Sequence, residues 1–181
     1  MVQLREKMLP FDEYTALARE IKCVTDEFGV PLIIDDNVEV AIASGADGVH
    51  VGQDDMSPSS VRKLIGDSRI LGVTARTVEQ AVSAEREGAD YIGSGAVFST
   101  STKLDAKALP HDELKRICAS VSIPVVAIGG IDKDNILRLS GCGMAGVAVS
   151  SSLFASSGIE AAALELRALS QSLLATDCQE G

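Results

Sequence analysis

Short, almost unbroken apolar runs recur along the chain, each followed by a stretch with helical spacing. The runs are Val2–Leu4, Pro31–Ile34, Gly48–Val51, Ile70–Val73, Tyr91–Gly93, Pro124–Ile128 and Gly146–Val149. Segments that are apolar throughout, rather than at every second position, mark strands of a parallel sheet covered by helices. Between the first two runs, Phe11, Tyr14, Leu17, Ala18, Ile21, Val24 and Phe28 fall at helical spacing and form one apolar stripe. Ser57-Pro58 fits an N-cap followed by a first-turn proline. Thr77 with Gln80 fits a capping box. Gly45 and Gly88 stand where helices should stop. The stretches "SGADGVHVG" and "EGADYIGSG" repeat one pattern, in which a helix ends at glycine and the chain turns straight into the next strand.

This alternation predicts an α/β fold, a TIM-type (β/α)8 parallel barrel with seven of its eight βα units visible. One domain is expected over 1–175, with a tail over 176–181. The strand count predicts either an initial βα unit lying outside this sequence or closure by some other segment. An open, doubly wound sheet is the alternative. It would carry a glycine-rich loop after its first strand, and Arg5-Glu6-Lys7 is no such loop.

Composition narrows the function. The 181 residues, 46% of them hydrophobic, can bury one substantial core. A net charge of -10 argues against nucleic acid or an anionic membrane as partner. With 3% aromatic residues and no tryptophan, a stacking platform for single strands is not expected. No apolar run approaches the roughly 18 residues of a membrane helix, and the first residues lack a signal-peptide pattern. Cys23, Cys118, Cys142 and Cys178 are scattered without a CxxC pair, which points away from zinc and toward a reducing cytoplasm. An anionic small-molecule substrate is still compatible with this charge, provided that basic residues cluster locally; a homo-oligomer is left open.

Barrel chemistry sits where strands run into the following loops. The first strand end offers Gln3, Arg5 and Lys7, alternating so that all three project to one side. Two cations so placed suit an anion; the bland reading is a charged edge strand that resists aggregation. The second and third strand ends offer Asp35-Asp36 and Gln53-Asp54-Asp55. Carboxylates on adjacent strand ends can share Mg²⁺ with a substrate phosphate, although aspartate is also a common turn residue. After the fifth strand, Ser99 to Lys103 gives hydroxyls and an ammonium in a long loop, suited to phosphate or to a lid. Gly129-Gly130 and Ser150-Ser151-Ser152 close the last two strands with small residues that expose N–H groups to a phosphate. His50, inside a strand, reads as a packed structural histidine rather than a base. His111 begins a helix and has no assigned role.

The stretches "VQLREK", "PLIIDD", "GADGVHVGQDD", "ILGVTA", "GADYIGSGAVFSTSTK", "IPVVAIGGI" and "GVAVSSSLF" together resemble the thiamine phosphate synthase family over nearly the whole chain. The resemblance implies a transferase that joins a hydroxymethylpyrimidine diphosphate to a thiazole phosphate. The products are thiamine phosphate and pyrophosphate. It implies that Gln3, Arg5, Lys7, Asp35, Thr74 and Lys103 contact the pyrimidine diphosphate, with Arg5, Lys7 and Lys103 acting in catalysis. Asp36 and Asp55 would hold Mg²⁺. Thr100, Thr102, Gly130, Ser150 and Ser151 would hold the thiazole phosphate.

This chain departs from the family pattern in five places. Asp35 stands where the family commonly has asparagine. Ala96 and Ser99 replace prolines. Gly143-Met144-Ala145-Gly146-Val147 replaces a third "GADGV". Family members also carry a strand and helix ahead of "QLREK". A thiazole tautomerase on the same fold would need a base in place of this electrostatic set. A non-catalytic remnant that binds a phosphate ester is the rival from another class.

Overall fold

The structure is a computed structural model that describes residues 1–99 and 108–177. Among them, seven parallel strands alternate with helices, the βα-barrel class of fold. The described residues divide into two compact units, one of residues 1–74 and 83–91, the other of 75–82, 92–99 and 108–177.

In the first unit, β1 (Val2–Leu4), β2 (Leu32–Asp35), β3 (Gly48–Val51) and β4 (Ile70–Thr74) pair in chain order. Helices α1 (Phe11–Glu27), α2 (Val38–Ser44) and α3 (Pro58–Ile65) connect them. Leu32, Ile33, Ile34, Val49, Val51 and Leu71 are wholly buried. This is why their runs are apolar at every position: a parallel strand is covered on both faces. In the second unit, β5 (Tyr91–Gly95), β6 (Val125–Ile128) and β7 (Gly146–Ala148) also pair in order. This unit holds α5 (His111–Ser120), α6 (Ser151–Phe154), α7 (Ile159–Asp177) and a short 3-10 helix at Ile136–Leu139. At the start of helix α4 (Val78–Arg86), Thr77 accepts the Gln80 N–H at 3.3 Å as expected, but Gln80 Oε1 accepts the N–H of Arg76, at 2.8 Å, one residue before the cap.

Two expectations need correction. The alternation of Gln3, Arg5 and Lys7 along one strand does not hold, because β1 ends at Leu4. Only Gln3 is a strand residue; Arg5 and Lys7 belong to the following loop. The apolar stripe of α1 is also only half used. Tyr14 and Ala18 are buried, but Phe11, Val24 and Phe28 are exposed, Phe28 at 75%. The helix packs on α2 and β2, so the rest of the stripe faces away from its described neighbours. β1 itself is paired on one side, to β2, and Val2 is exposed.

The repeated "GAD" has a physical explanation. Gly45 and Gly88 end their helices in the left-handed region, at φ 75° and 94°, where glycine carries no Cβ penalty. Two residues later an aspartate reaches back to the preceding strand. Asp47 Oδ2 accepts the Leu32 N–H at 2.8 Å, and Asp90 Oδ2 accepts the Leu71 N–H at 2.7 Å. The backbone N–H groups of Asp47 and Asp90 donate to the carbonyls of those same two residues. At the third occurrence Ala145 N–H donates to Val125 O at 2.8 Å, but alanine has no carboxylate to return. Ala145 is exposed, so Ala145→Asp is expected to stabilise the protein by about 1 kcal/mol. The corresponding rise in melting temperature is about 2–4 °C, measured by calorimetry. A fall would show that the third turn is built differently.

Candidate functional site

In the first unit the strand ends are tied together by their own polar residues. Gln3 Nε2 donates to Asp35 Oδ1 at 2.8 Å, and Arg5 Nε meets Asp35 Oδ2 at 2.9 Å. Arg5 lies 3.6 Å from Asp36 Oδ2, and Lys7 Nζ lies 3.8 Å from the same oxygen. Gln3, Arg5, Lys7, Asp35 and Asp36 are thus one cluster. The Asp35 side chain is its most buried charged member, at 13% exposure against 37% for Arg5 and 60% for Lys7. Asp35 is therefore the anchor on which Gln3 and Arg5 are held.

Asp36 has φ 65°, the one left-handed residue other than glycine among those described. Aspartate tolerates this conformation better than most side chains, and the turn re-aims its carboxylate as β2 gives way to α2. Its own N–H donates to His50 O on β3 at 2.8 Å. Two residues past His50, the Gly52 N–H donates to Asp55 Oδ2 at 2.7 Å. Both expected metal ligands therefore sit at the carboxyl ends of paired strands. Among the described residues no three His, Cys, Asp or Glu side chains gather as a metal cage. Carboxylate oxygens are the ligand type that suits Mg²⁺.

Thr74 ends β4, and the next strand end is tied to it twice. Gln53 Nε2 donates to Thr74 O at 2.6 Å, and Thr74 Oγ1 lies 2.9 Å from His50 Nε2. His50 is 8% exposed and spends its other ring nitrogen on the Tyr91 hydroxyl, at 2.9 Å. It is the packed histidine expected, yet it touches a site residue. Gln53, His50 and Tyr91 were not expected at the site. The available signal was Gly72, level with His50 in the β3–β4 register. A Cβ there would lie 2.2 Å from Tyr91 Cζ and 2.4 Å from His50 Nδ1. Burial pushes the Tyr91 phenol far above its ordinary pKa, with the nearby Asp35 charge adding to the rise.

The second unit holds the remaining described candidates. Gly130 follows β6 with φ 66°, and a Cβ there would meet Ser99 O at 2.5 Å. Only glycine fits. Asn135 Nδ2 donates to Gly130 O at 2.8 Å, and Ser152 Oγ donates to Ile131 O at 2.9 Å. The second bond ties the loop after β6 to α6. Ser150 stands immediately before α6, and Ser151 is its first residue. Gly130 also lines a cavity of about 600 Å³ with Phe98, His111, Asp132 and Arg138. Thr100, Thr102 and Lys103 lie outside the described residues.

Residues 1–153 match the family model for thiamine monophosphate synthase. The chain belongs to the thiamine monophosphate synthase family. It is 49% identical over 166 residues to a thiamine-phosphate synthase of Ruminiclostridium cellulolyticum, covering 92% of this chain and 79% of that one. It is 50% identical over 161 residues to thiamine-phosphate synthase 2 of Streptococcus pneumoniae, covering 89% and 77%. Among solved structures it is similar to a thiamine phosphate pyrophosphorylase of Pyrococcus furiosus, with a TM-score of 0.87 and 37% identity over 95% of this chain and 83% of that one. A 3-keto-L-gulonate-6-phosphate decarboxylase of Vibrio cholerae shares the fold, with a TM-score of 0.71 at 14% identity. The matched segment contains every candidate residue.

Proposed function

We propose that this member of the thiamine monophosphate synthase family condenses a pyrimidine diphosphate with a thiazole phosphate, releasing pyrophosphate. Gln3, Arg5, Lys7 and Thr74 hold the diphosphate, joined by Lys103. Asp36 and Asp55 hold Mg²⁺. Gly130, Ser150 and Ser151 hold the thiazole phosphate, joined by Thr100 and Thr102. When bound, Mg²⁺ supplies positive charge against the oxygens of the departing pyrophosphate. Arg5 and Lys7 add fixed charge to the same oxygens, strongest as negative charge develops. The electron-rich aminopyrimidine stabilises the carbon left behind, and the thiazole nitrogen attacks it. No protein nucleophile is required; the chain positions two substrates and stabilises a leaving group. Four scattered cysteines support a reducing, cytoplasmic location.

The observation that carries this reading is the charge balance of the strand-end residues in the first unit. Arg5 and Lys7 face Asp35 and Asp36, and Asp55 follows the neighbouring strand, β3; two cations stand with three carboxylates. Such a site repels a bare diphosphate and accepts one that brings a divalent cation. A tautomerase has no use for that arrangement. Inorganic pyrophosphate is therefore expected to bind at least about tenfold more tightly with Mg²⁺ than with chelator, a difference of about 1.4 kcal/mol. Titration calorimetry measures it. Equal affinity in the two conditions would contradict the metal-bridged site.

A further inference from the structure

We propose that Tyr91 and His50 form a hydrogen-bond relay that fixes the Thr74 hydroxyl as a donor toward the diphosphate. Both are positioning residues, acting through Thr74. The inference rests on the reading that Thr74 contacts that group. The argument follows the protons. Tyr91 is 9% exposed, and His50 Nδ1 at 2.9 Å is the partner of its hydroxyl. With its pKa raised by burial, the phenol keeps its proton. A buried O–H without an acceptor costs about 1–3 kcal/mol, so Nδ1 must accept. A neutral imidazole with Nδ1 as acceptor carries its proton on Nε2. The Nδ1–H tautomer would offer the Tyr91 hydroxyl no acceptor.

Nε2–H then donates to Thr74 Oγ1, 2.9 Å away. With its oxygen accepting from the histidine, the threonine proton is turned away from the ring. Thr74 is half-buried at the end of β4, and its proton is directed to an acceptor other than His50. The opposite tautomer would draw that proton back to His50 and present lone pairs to the diphosphate, a repulsive arrangement. Gly72 permits the relay, since any side chain there would occupy the space where the phenol meets the imidazole.

The test has two arms. The first reads the tautomer of His50 in the ligand-free wild-type protein by ¹⁵N histidine NMR, with His111 identified by substitution. The Nε2–H tautomer is expected, and Tyr91→Phe should populate the Nδ1–H form. A wild-type Nδ1–H tautomer, or an imidazolium at neutral pH, would overturn the relay. The second arm measures the Kd of inorganic pyrophosphate with Mg²⁺. Thr74→Val should weaken it about tenfold, Thr74→Ser should restore it, and Tyr91→Phe should weaken it about threefold. Adding Tyr91→Phe to Thr74→Val should cause no further loss, because the relay acts only through that hydroxyl. If the tautomer is as expected but Thr74→Val binds normally, the relay exists without serving the diphosphate and the proposal fails at that step. Because the first arm uses the unaltered protein, a variant that does not fold leaves it decisive.

Discussion

Asp36→Asn is expected to lower kcat/KM for thiamine phosphate synthesis by more than about a hundredfold while leaving the fold intact. The expected stability follows from what Asp36 does in the folded chain. Its left-handed backbone, at φ 65°, suits asparagine as well as aspartate. Its bond to His50 O uses the backbone N–H and survives the change. The ion pairs to Arg5 and Lys7, at 3.6 and 3.8 Å with Lys7 60% exposed, belong to the class worth at most about 1 kcal/mol. The catalytic loss follows from the other role. A neutral amide is a poor Mg²⁺ ligand, and it removes one of two carboxylates available to the ion. Changing a group that merely supports a metal ligand costs about 10–100-fold, so losing a ligand should exceed that. The variant should be assayed across a Mg²⁺ titration beside a thermal melt. Near-normal activity at limiting Mg²⁺ would mean that Asp36 is only an ion-pair partner of Lys7 and Arg5.

Gly72→Ala is expected to destabilise the protein by about 3 kcal/mol, the upper range for overpacking a filled core. The new methyl would lie 2.2 Å from Tyr91 Cζ and 2.4 Å from His50 Nδ1. Neither neighbour can yield easily. Tyr91 and His50 are both buried and bonded to each other, and His50 is part of the β3–β4 ladder. A shift of roughly 6–12 °C in melting temperature corresponds to that energy in a chain of this size. Gly146→Ala is the control, because nothing lies within 4 Å of a Cβ at that position. A Gly72→Ala protein as stable as the wild type would show that Tyr91 and His50 do not meet across it.

Sequence patterning revealed some of this architecture and hid the rest, for physical reasons. Burial on both faces leaves an unbroken apolar run in β2 to β5, while β1 and β7 are apolar but only partly covered; all seven strands were found to within a residue or two of their ends. Helix stops at Gly45 and Gly88 were visible because a left-handed residue strongly selects glycine. The α1 stripe misled because periodicity shows which residues share a face, not whether a neighbour covers it; Phe28 lies on that stripe and is exposed. Gln3, Arg5 and Lys7 were grouped through an assumed strand that ends before Arg5. Their grouping comes instead from carboxylates on the next strand end. Such partnerships depend on register. The pairing of Gln3 with Ile33, level with the strand that ends in Asp35, cannot be read from either segment alone. The His50–Tyr91 contact was hidden for the same reason: the two residues are separated by β4 and joined over a glycine.

The most direct test of the central claim is a single-turnover reaction of the purified 181-residue chain with both substrates and Mg²⁺. Thiamine phosphate and pyrophosphate should be measured together. The account predicts that the two products appear at equal rates and in equal amounts, that neither forms when the thiazole phosphate or the metal is left out, and that the chain remains folded throughout. A folded chain that binds Mg²⁺ and pyrophosphate yet forms no thiamine phosphate would contradict it.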